Sequence, residues 1–463
     1  MHPSMPNDCA SDKHGSTRRS FLRLAAGAGA TLWQVGACGT TSHLYAAQDA
    51  PNSPTDVPAS EPNDQPAAPE IPITGVEHPE LAGFDRAMRD YLRDEKGIGA
   101  ALAITKDGRL VYARGFGYAD RDAGRVVEPR SQFRIASLSK AVTGVAIVRL
   151  VEQGKLALED RICDVLDICK IYDHRWPYIT IAQLLDHTGG WDRDQSYDAM
   201  FRAVEIAEAL RMPPPAMPPQ VIEFMARQPL DFDPGSRHAY SNFGYSLLGR
   251  VIERLTGQRY DEYVRREVLA PLGIDQMRLG ATLPAGRAEN EVCYYEPPGE
   301  TGPAVMGDEI GAQVPWPYGA WCLEAMDAHG GWIASAVDMV RFGAAFDKPE
   351  HCPILKADSV RLLFDRPHGP AGYEPDGLPK EAYYACGWNV RPVGNGGRFT
   401  AWHTGSLDGT STLLVRRHDG LNWAVLFNTR DGASGKRMSL GADRWLHRVA
   451  NDVSTWPDVD EFE

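Results

Sequence analysis

Apolar and polar positions along this chain repeat with different periods in different places. Leu81, Phe84, Met88 and Leu92 recur at helical spacing, which predicts a helix from Leu81 to about Arg93. Two strand-like runs come next, Ala100–Thr105 and Leu110–Gly117, joined through Lys106-Asp107-Gly108-Arg109, where Asp-Gly is a strong hairpin signal. After a helix-rich middle, strand patterns return at Phe399–His403, Thr412–Arg416 and Asn422–Asn428, before a last helix near Leu440–Val449. The economical architecture is α+β: an antiparallel sheet built from both chain ends, flanked by helices and interrupted by an inserted all-helical region. In that middle, Ser335-Ala336-Val337-Asp338 reads as a capping box opening a helix, and Pro213–Pro215 with Pro218–Pro219 as an irregular, helix-breaking segment.

The region before Leu81 has no such periodicity. Gln48 to Glu80 holds eight prolines among acidic residues with no Lys or Arg, the composition of an extended, solvated tether. Upstream, Ser16-Thr17-Arg18-Arg19-Ser20-Phe21-Leu22-Arg23 places a twin arginine before a weakly apolar stretch, Leu24–Ala37, the pattern of a Tat export signal. Gly27, Gly29 and Gly36 count against an ordinary first helix. Val35-Gly36-Ala37-Cys38 resembles a lipobox, so a lipid anchor at Cys38 and a soluble periplasmic form are both open. The domain reading is a signal region at 1–47, a linker at 48–80 and a folded domain at 81–463, in a periplasmic or other extracytoplasmic setting.

Composition narrows the classes. The 463 residues are 43% hydrophobic and 24% charged, which excludes disorder throughout. With 48 basic against 62 acidic residues the net charge is -14, which speaks against a surface that tracks phosphates, so no nucleic-acid partner is expected. Cysteines 163, 169, 293, 322, 352 and 386 form no C-x-x-C pair and no metal-ligand spacing with His, so neither metal nor cofactor is expected, and no disulfide pairing is assigned.

The chemistry lies in three short motifs. Ser137-Leu138-Ser139-Lys140 opens a strongly periodic helical stretch, so Ser137 and Lys140, three apart, face each other at its start. A serine hydroxyl needs a base, and lysine serves only if burial and the helix dipole bring its pKa toward neutrality. Tyr240-Ser241-Asn242 comes after a turn at Pro234-Gly235 and enters another helix; a phenol beside a lysine cation can have its pKa lowered and shuttle protons, and an amide can position the lysine. His403-Thr404-Gly405 ends one strand pattern and begins the next, where Thr404 can hydrogen-bond a substrate and Gly405 lets a substrate backbone lie against the strand. A second copy, His187-Thr188-Gly189, terminates a helical run and reads as structural. No G-x-S-x-G elbow is present, which removes the α/β-hydrolase mechanism. Trp316, Tyr318, Trp321 and Trp332 either line an acyl pocket or pack beneath a long loop.

In this order and spacing the three motifs resemble the penicillin-recognising serine hydrolases, closest to the branch holding class C β-lactamases, DD-carboxypeptidases and family VIII esterases. The likeness runs from about Leu81 to Val449 and is supported by Leu184–Gly189, Pro271-Leu272-Gly273-Ile274 and Gly330–Ser335. It implies a β-lactamase/transpeptidase-like fold and acyl transfer, with Ser137 as nucleophile, Lys140 as base, Tyr240 as proton shuttle and Asn242 as positioning group. His403, Thr404 and Gly405 would line the substrate side, with the backbone N–H groups of Ser137 and Ser406 as oxyanion hole. His403 stands where class C β-lactamases usually carry Lys, so efficient β-lactam hydrolysis is not the first expectation. A DD-carboxypeptidase or D-amino-acid peptidase leads, acting on a small-molecule or peptidoglycan-derived substrate; a carboxylesterase is the alternative, then a β-lactamase. Retention of Ser137, Lys140 and Tyr240 argues against a catalytically silent binding protein.

Overall fold

A computed structural model of the chain describes residues 70–168, 171–297 and 299–462. The chain divides into Met1–Ala67 and Ala68–Glu463, and the described elements all belong to the second unit. The twin-arginine segment, Cys38, most of the proline-rich tether and Cys169 lie outside the described residues. The tether's expected end at residue 80 is too late: β1 (Ile73–Gly75) pairs with a strand of the folded unit, Ile73 opposite Phe116.

The opening matches the sequence pattern. Helix α1 (Ala82–Asp94) buries Phe84, Met88 and Leu92. The hairpin of β2 (Gly99–Lys106) and β3 (Arg109–Asp120) turns on Asp107 and Gly108 at φ 54° and 86°, the two left-handed residues that a tight primed turn requires. Short β4 (Arg125–Val126) pairs with β3, and β5 (Phe133–Arg134) leads into α2 (Ser139–Glu152).

The helical region comprises α3 (Ile162–Leu166), α4 (Ile181–Leu185), α5 (Ala203–Leu210), α6 (Pro218–Met225), α7 (Asn242–Thr256) and α8 (Tyr260–Val264). Pro218 and Pro219, expected to break a helix, instead begin α6, because the first turn has no use for the N–H groups that proline lacks. Two small sheets come next in the chain. β6 (Arg278–Leu279) and β5 flank β9 (Trp332–Ala334), and β7 (Thr301–Pro303) pairs with β8 (Gln313–Pro315). The Ser335–Asp338 capping box is formed and starts α9 (Ala336–Ala344); α10 (Ala357–Phe364) comes after it.

The chain then returns to the main sheet with β10 (Tyr383–Ala385), β11 (Trp388–Val393), β12 (Arg398–Leu407), β13 (Thr410–Arg416) and β14 (Leu421–Phe427), and closes with α11 (Met438–Asp452). The strand order is β1-β3-β2-β14-β13-β12-β11-β10, antiparallel throughout, with Val425 of β14 opposite Leu102 of β2. Strands from early and late in the folded unit therefore meet at the sheet centre. α1 and α11 cover one face, where Phe84, Met88, Trp423 and Leu446 cluster; α2, α7 and α9 belong to the core on the other. Burial on both faces explains why β13 and β14 are apolar or uncharged along almost their whole length.

The four-member aromatic group separates. Trp332 is fully buried and donates to the Tyr260 hydroxyl, whereas Trp321 and Trp316 pack with Ala136 and Leu407, beside the turn that carries Ser137.

Candidate active site

Ser137 lies in the turn Ala136–Leu138 that precedes α2. Ala136 has φ 49°, a left-handed conformation that costs a non-glycine residue about 1–2 kcal/mol. The surroundings hold it there: Ser139 Oγ donates to the Ala136 carbonyl at 2.7 Å, Thr412 Oγ1 to the Ile135 carbonyl at 2.9 Å, and Thr410 Oγ1 to the Arg134 carbonyl at 3.0 Å. Arg134 is itself buried, donating to the carbonyls of Pro317, Ala281 and Thr282 with its guanidinium over the Tyr294 ring. The nucleophile turn is thus pinned to the sheet on one side and to the 281–321 segment on the other.

Lys140 is fully buried, one turn on. Its Nζ lies 2.7 Å from Asn242 Oδ1, 2.8 Å from the His329 carbonyl and 3.2 Å from Ser137 Oγ. A neutral amine has two N–H groups and one lone pair; with the two shorter contacts taken by acceptors that cannot donate, the lone pair is left facing the Ser137 hydroxyl. Burial brings this lysine well below its ordinary pKa, against the pull of Asp198 and with help from Arg193.

Ser241 caps α7 through its side chain, so Asn242 is the first helical residue and its amide is held rigidly. Its Oδ1 accepts from Lys140 and its Nδ2 donates to Asp198 Oδ2 at 2.6 Å. Tyr240 corrects one expectation: burial pushes its phenol above the ordinary range, outweighing the lowering effect of the Ser137 hydroxyl and of Arg193. Burial works against the lysine's charged form, which weakens it as a cation to hold a phenolate. Tyr240 therefore acts as a neutral hydroxyl. The structural assignment of His187 also gains a local task. At φ 57°, its Nδ1 accepts the Ser241 N–H at 3.2 Å, and its ring lies 4.3 Å from that of Tyr240 and 4.4 Å from that of Tyr384.

His403, Thr404, Gly405 and Ser406 sit inside β12 rather than between two strands. β11 pairs β12 only as far as Trp402, so His403–Leu407 are paired on the β13 side alone. His403 is buried, with Nδ1 2.6 Å from the Thr404 carbonyl and Nε2 3.0 Å from the Tyr384 hydroxyl. A carbonyl only accepts, so Nδ1 carries the proton and Nε2 accepts from Tyr384. Burial, with the nearby lysine, pushes this imidazole down to about 3. Thr404 and Ser406 are half-buried. Gly405 has a reason other than the one expected: a Cβ there would lie 2.2 Å from Thr412 Oγ1 and 2.3 Å from the Ile135 carbonyl, so it is the fit of β12 against the nucleophile turn that demands glycine.

The structure thus brings Ser137, Lys140, Tyr240 and Asn242 together, with His403 ring-to-ring with Tyr240 at 6.4 Å. Sequence reasoning missed Asp198, Tyr384, the His329 carbonyl and Arg193, whose guanidinium lies 4.9 Å from the centre of the Tyr240 ring. Asp198 carried only the signal of a helix cap, and the others none. Among the described residues no group of His, Cys, Asp or Glu is placed to hold a metal, and Cys293, Cys322, Cys352 and Cys386 are free thiols.

A serine beside a buried lysine whose pKa is lowered, with a tyrosine and an asparagine completing the cluster, in a helix-flanked antiparallel sheet, defines an active-site-serine hydrolase. The Beta-lactamase family profile matches residues 84–443, and the chain belongs to that family. It is 33% identical over 316 residues to Esterase EstB of Burkholderia gladioli, covering 65% of this chain and 73% of the esterase. Among solved structures, the fold is shared with a penicillin-binding protein homologue from Pyrococcus abyssi (TM-score 0.60, 24% identity, covering 80% of this chain and 77% of the other). It is also shared with D-amino acid amidase from Ochrobactrum anthropi (TM-score 0.60, 21% identity, covering 81% and 98%).

Proposed function

We propose that the protein is an exported carboxylesterase that works through an acyl-enzyme on Ser137. The observation that carries this reading is the state of His403: buried, neutral and committed through both ring nitrogens, it leaves β12 without a fixed positive charge to receive a substrate carboxylate. Esters whose acyl group is uncharged suit such a site, and the likeness to an esterase supports it. Lys140 takes the Ser137 proton as Oγ bonds to the ester carbon, and the oxyanion is held by the N–H groups of Ser137 and Ser406. Its collapse breaks the C–O bond, and the leaving alkoxide is protonated from Lys140 by way of Tyr240. Water repeats the cycle, releasing the acid and restoring Ser137.

A second reading rests on Arg193. It is exposed at the Tyr240 ring, with no carboxylate within 4 Å among the described residues, and could receive the terminal carboxylate of a DD-carboxypeptidase or D-amino-acid peptidase substrate. The test compares kcat/KM for p-nitrophenyl butyrate with that for a D-alanyl-D-alanine peptide and its C-terminal amide. The esterase reading expects ester turnover that Ser137→Ala abolishes and Arg193→Gln leaves unchanged. Preference for the free-acid peptide, lost about tenfold or more in Arg193→Gln, establishes the peptidase instead. Export by residues 1–47, with or without a lipid at Cys38, is part of the proposal; fractionation of Cys38→Ser cells distinguishes the anchored from the soluble form.

A further inference from the structure

A cavity of about 590 Å³ lies between α4, the end of α10 with the loop after it, and the turn after β10. None of Ser137, Lys140, Tyr240 or Asn242 lines it. It nevertheless shares a wall with the site: Asp186 and Thr188 flank His187, and Ala385 and Cys386 directly succeed Tyr384. Its size is that of a small-molecule pocket, and Leu158, Leu185 and Leu362 give it an apolar lining.

The carboxyl of Asp186 is the anomaly there. Among the described residues it has no hydrogen-bond donor and no cation within 4 Å, and burial alone pushes it up to about 8. Arg366, the lining guanidinium, is already engaged: it donates to the carbonyls of Gly372 and Lys380 and lies over the Tyr383 ring. Glu159 and Asp365 add exposed carboxylates to the lining, so the charge not already engaged is acidic.

We infer that this cavity is a second ligand site, for a small organic monocation whose ammonium or amidinium pairs with Asp186 while its apolar part fills the leucine-lined space. The site differs from the serine cleft in its residues and in the charge it selects.

The probe is benzamidine, with benzamide as its uncharged near-isostere, titrated calorimetrically into the full-length protein at pH 7. Saturable binding of benzamidine, at least tenfold tighter than benzamide, is expected. About one proton should be released per cation bound, read from buffers of different ionisation enthalpy, because pairing ionises a carboxyl that is protonated when alone. Asp186→Asn should weaken binding at least tenfold and abolish the proton release. Leu362→Trp, which adds bulk to the lining from α10 and leaves the Asp186 carboxyl unaltered, should block binding should the first variant fail to fold. Ser137→Ala should bind as the wild type does. Absence of saturation, equal binding of the two probes, or unaltered binding in Leu362→Trp overturns the inference.

Discussion

The protonation state of Lys140 decides what the site can do, and it is fixed by burial. Its two shorter contacts are to acceptors, and desolvation holds it well below its ordinary pKa, which favours the free base. Acylation therefore falls as pH drops through the depressed lysine pKa and reaches its plateau far below about pH 10.4, where an ordinary lysine would titrate. Stopped-flow acylation with a neutral ester checks this; a rate still climbing at about pH 10 removes Lys140 as the base. His403, pushed down to about 3, contributes no inflection near its ordinary value of 6.5. His187 makes a second residue-level prediction. Alanine would remove the acceptor for the Ser241 N–H and the ring against Tyr240, and would hold a side chain at φ 57°. His187→Ala should lower kcat about tenfold or more through Tyr240, by the loss of a buried hydrogen bond worth roughly 1–3 kcal/mol. Asparagine, which tolerates that φ and keeps an acceptor, should recover part of it. Equal kcat in the alanine variant and the wild type, with only the melting temperature changed, would return His187 to a purely helix-ending role.

At the scale of elements, what could be read from sequence and what could not divide along locality. The hairpin at Asp107-Gly108, the α9 capping box and the Ser137/Lys140 spacing depend on neighbours a few residues away, and each is formed as expected. The role of Gly405 is not local: it depends on β12 lying against Ile135, some 270 residues earlier, a distance no periodicity encodes. Asp198 and Tyr384 were illegible for the same reason, since they reach the site from a capping turn and from a short strand far along the chain. Gly405→Ala tests the junction. A methyl group 2.2 Å from Thr412 Oγ1 and 2.3 Å from a carbonyl must separate β12 from the nucleophile turn. Urea unfolding should show a loss of about 1–3 kcal/mol or more, together with slowed acylation. An unchanged acylation rate at reduced stability would show that the turn holds its shape without the strand.

For the whole molecule, burial of ionisable groups makes stability depend on pH, and each group contributes with a definite sign. His187, His238, His329 and His403 all have lowered pKa values, to about 4 for His238 and about 3 for His403, with burial the first cause in each case. Unfolding returns each to about 6.5, so between roughly pH 4 and 6.5 the unfolded chain binds protons that the folded one refuses. Their contribution to stability therefore rises with pH across that window, each histidine adding a slope of up to about 1.4 kcal/mol per unit. Lys140 acts in the same sense as the histidines, whereas Asp186, raised to about 8, and Asp198, Glu296, Asp327, Asp347 and Asp443, each also raised by burial, oppose them. The histidine contribution is therefore read from the urea midpoint of a variant that removes one ring and leaves every carboxyl in place. His238→Gln isolates one contribution: it should flatten the slope and raise stability most at the acid end, leaving the midpoint at about pH 8 nearly as it was. A pH dependence unchanged in His238→Gln would mean that this ring is hydrated in the folded protein, and that the burial assigned to it needs revision.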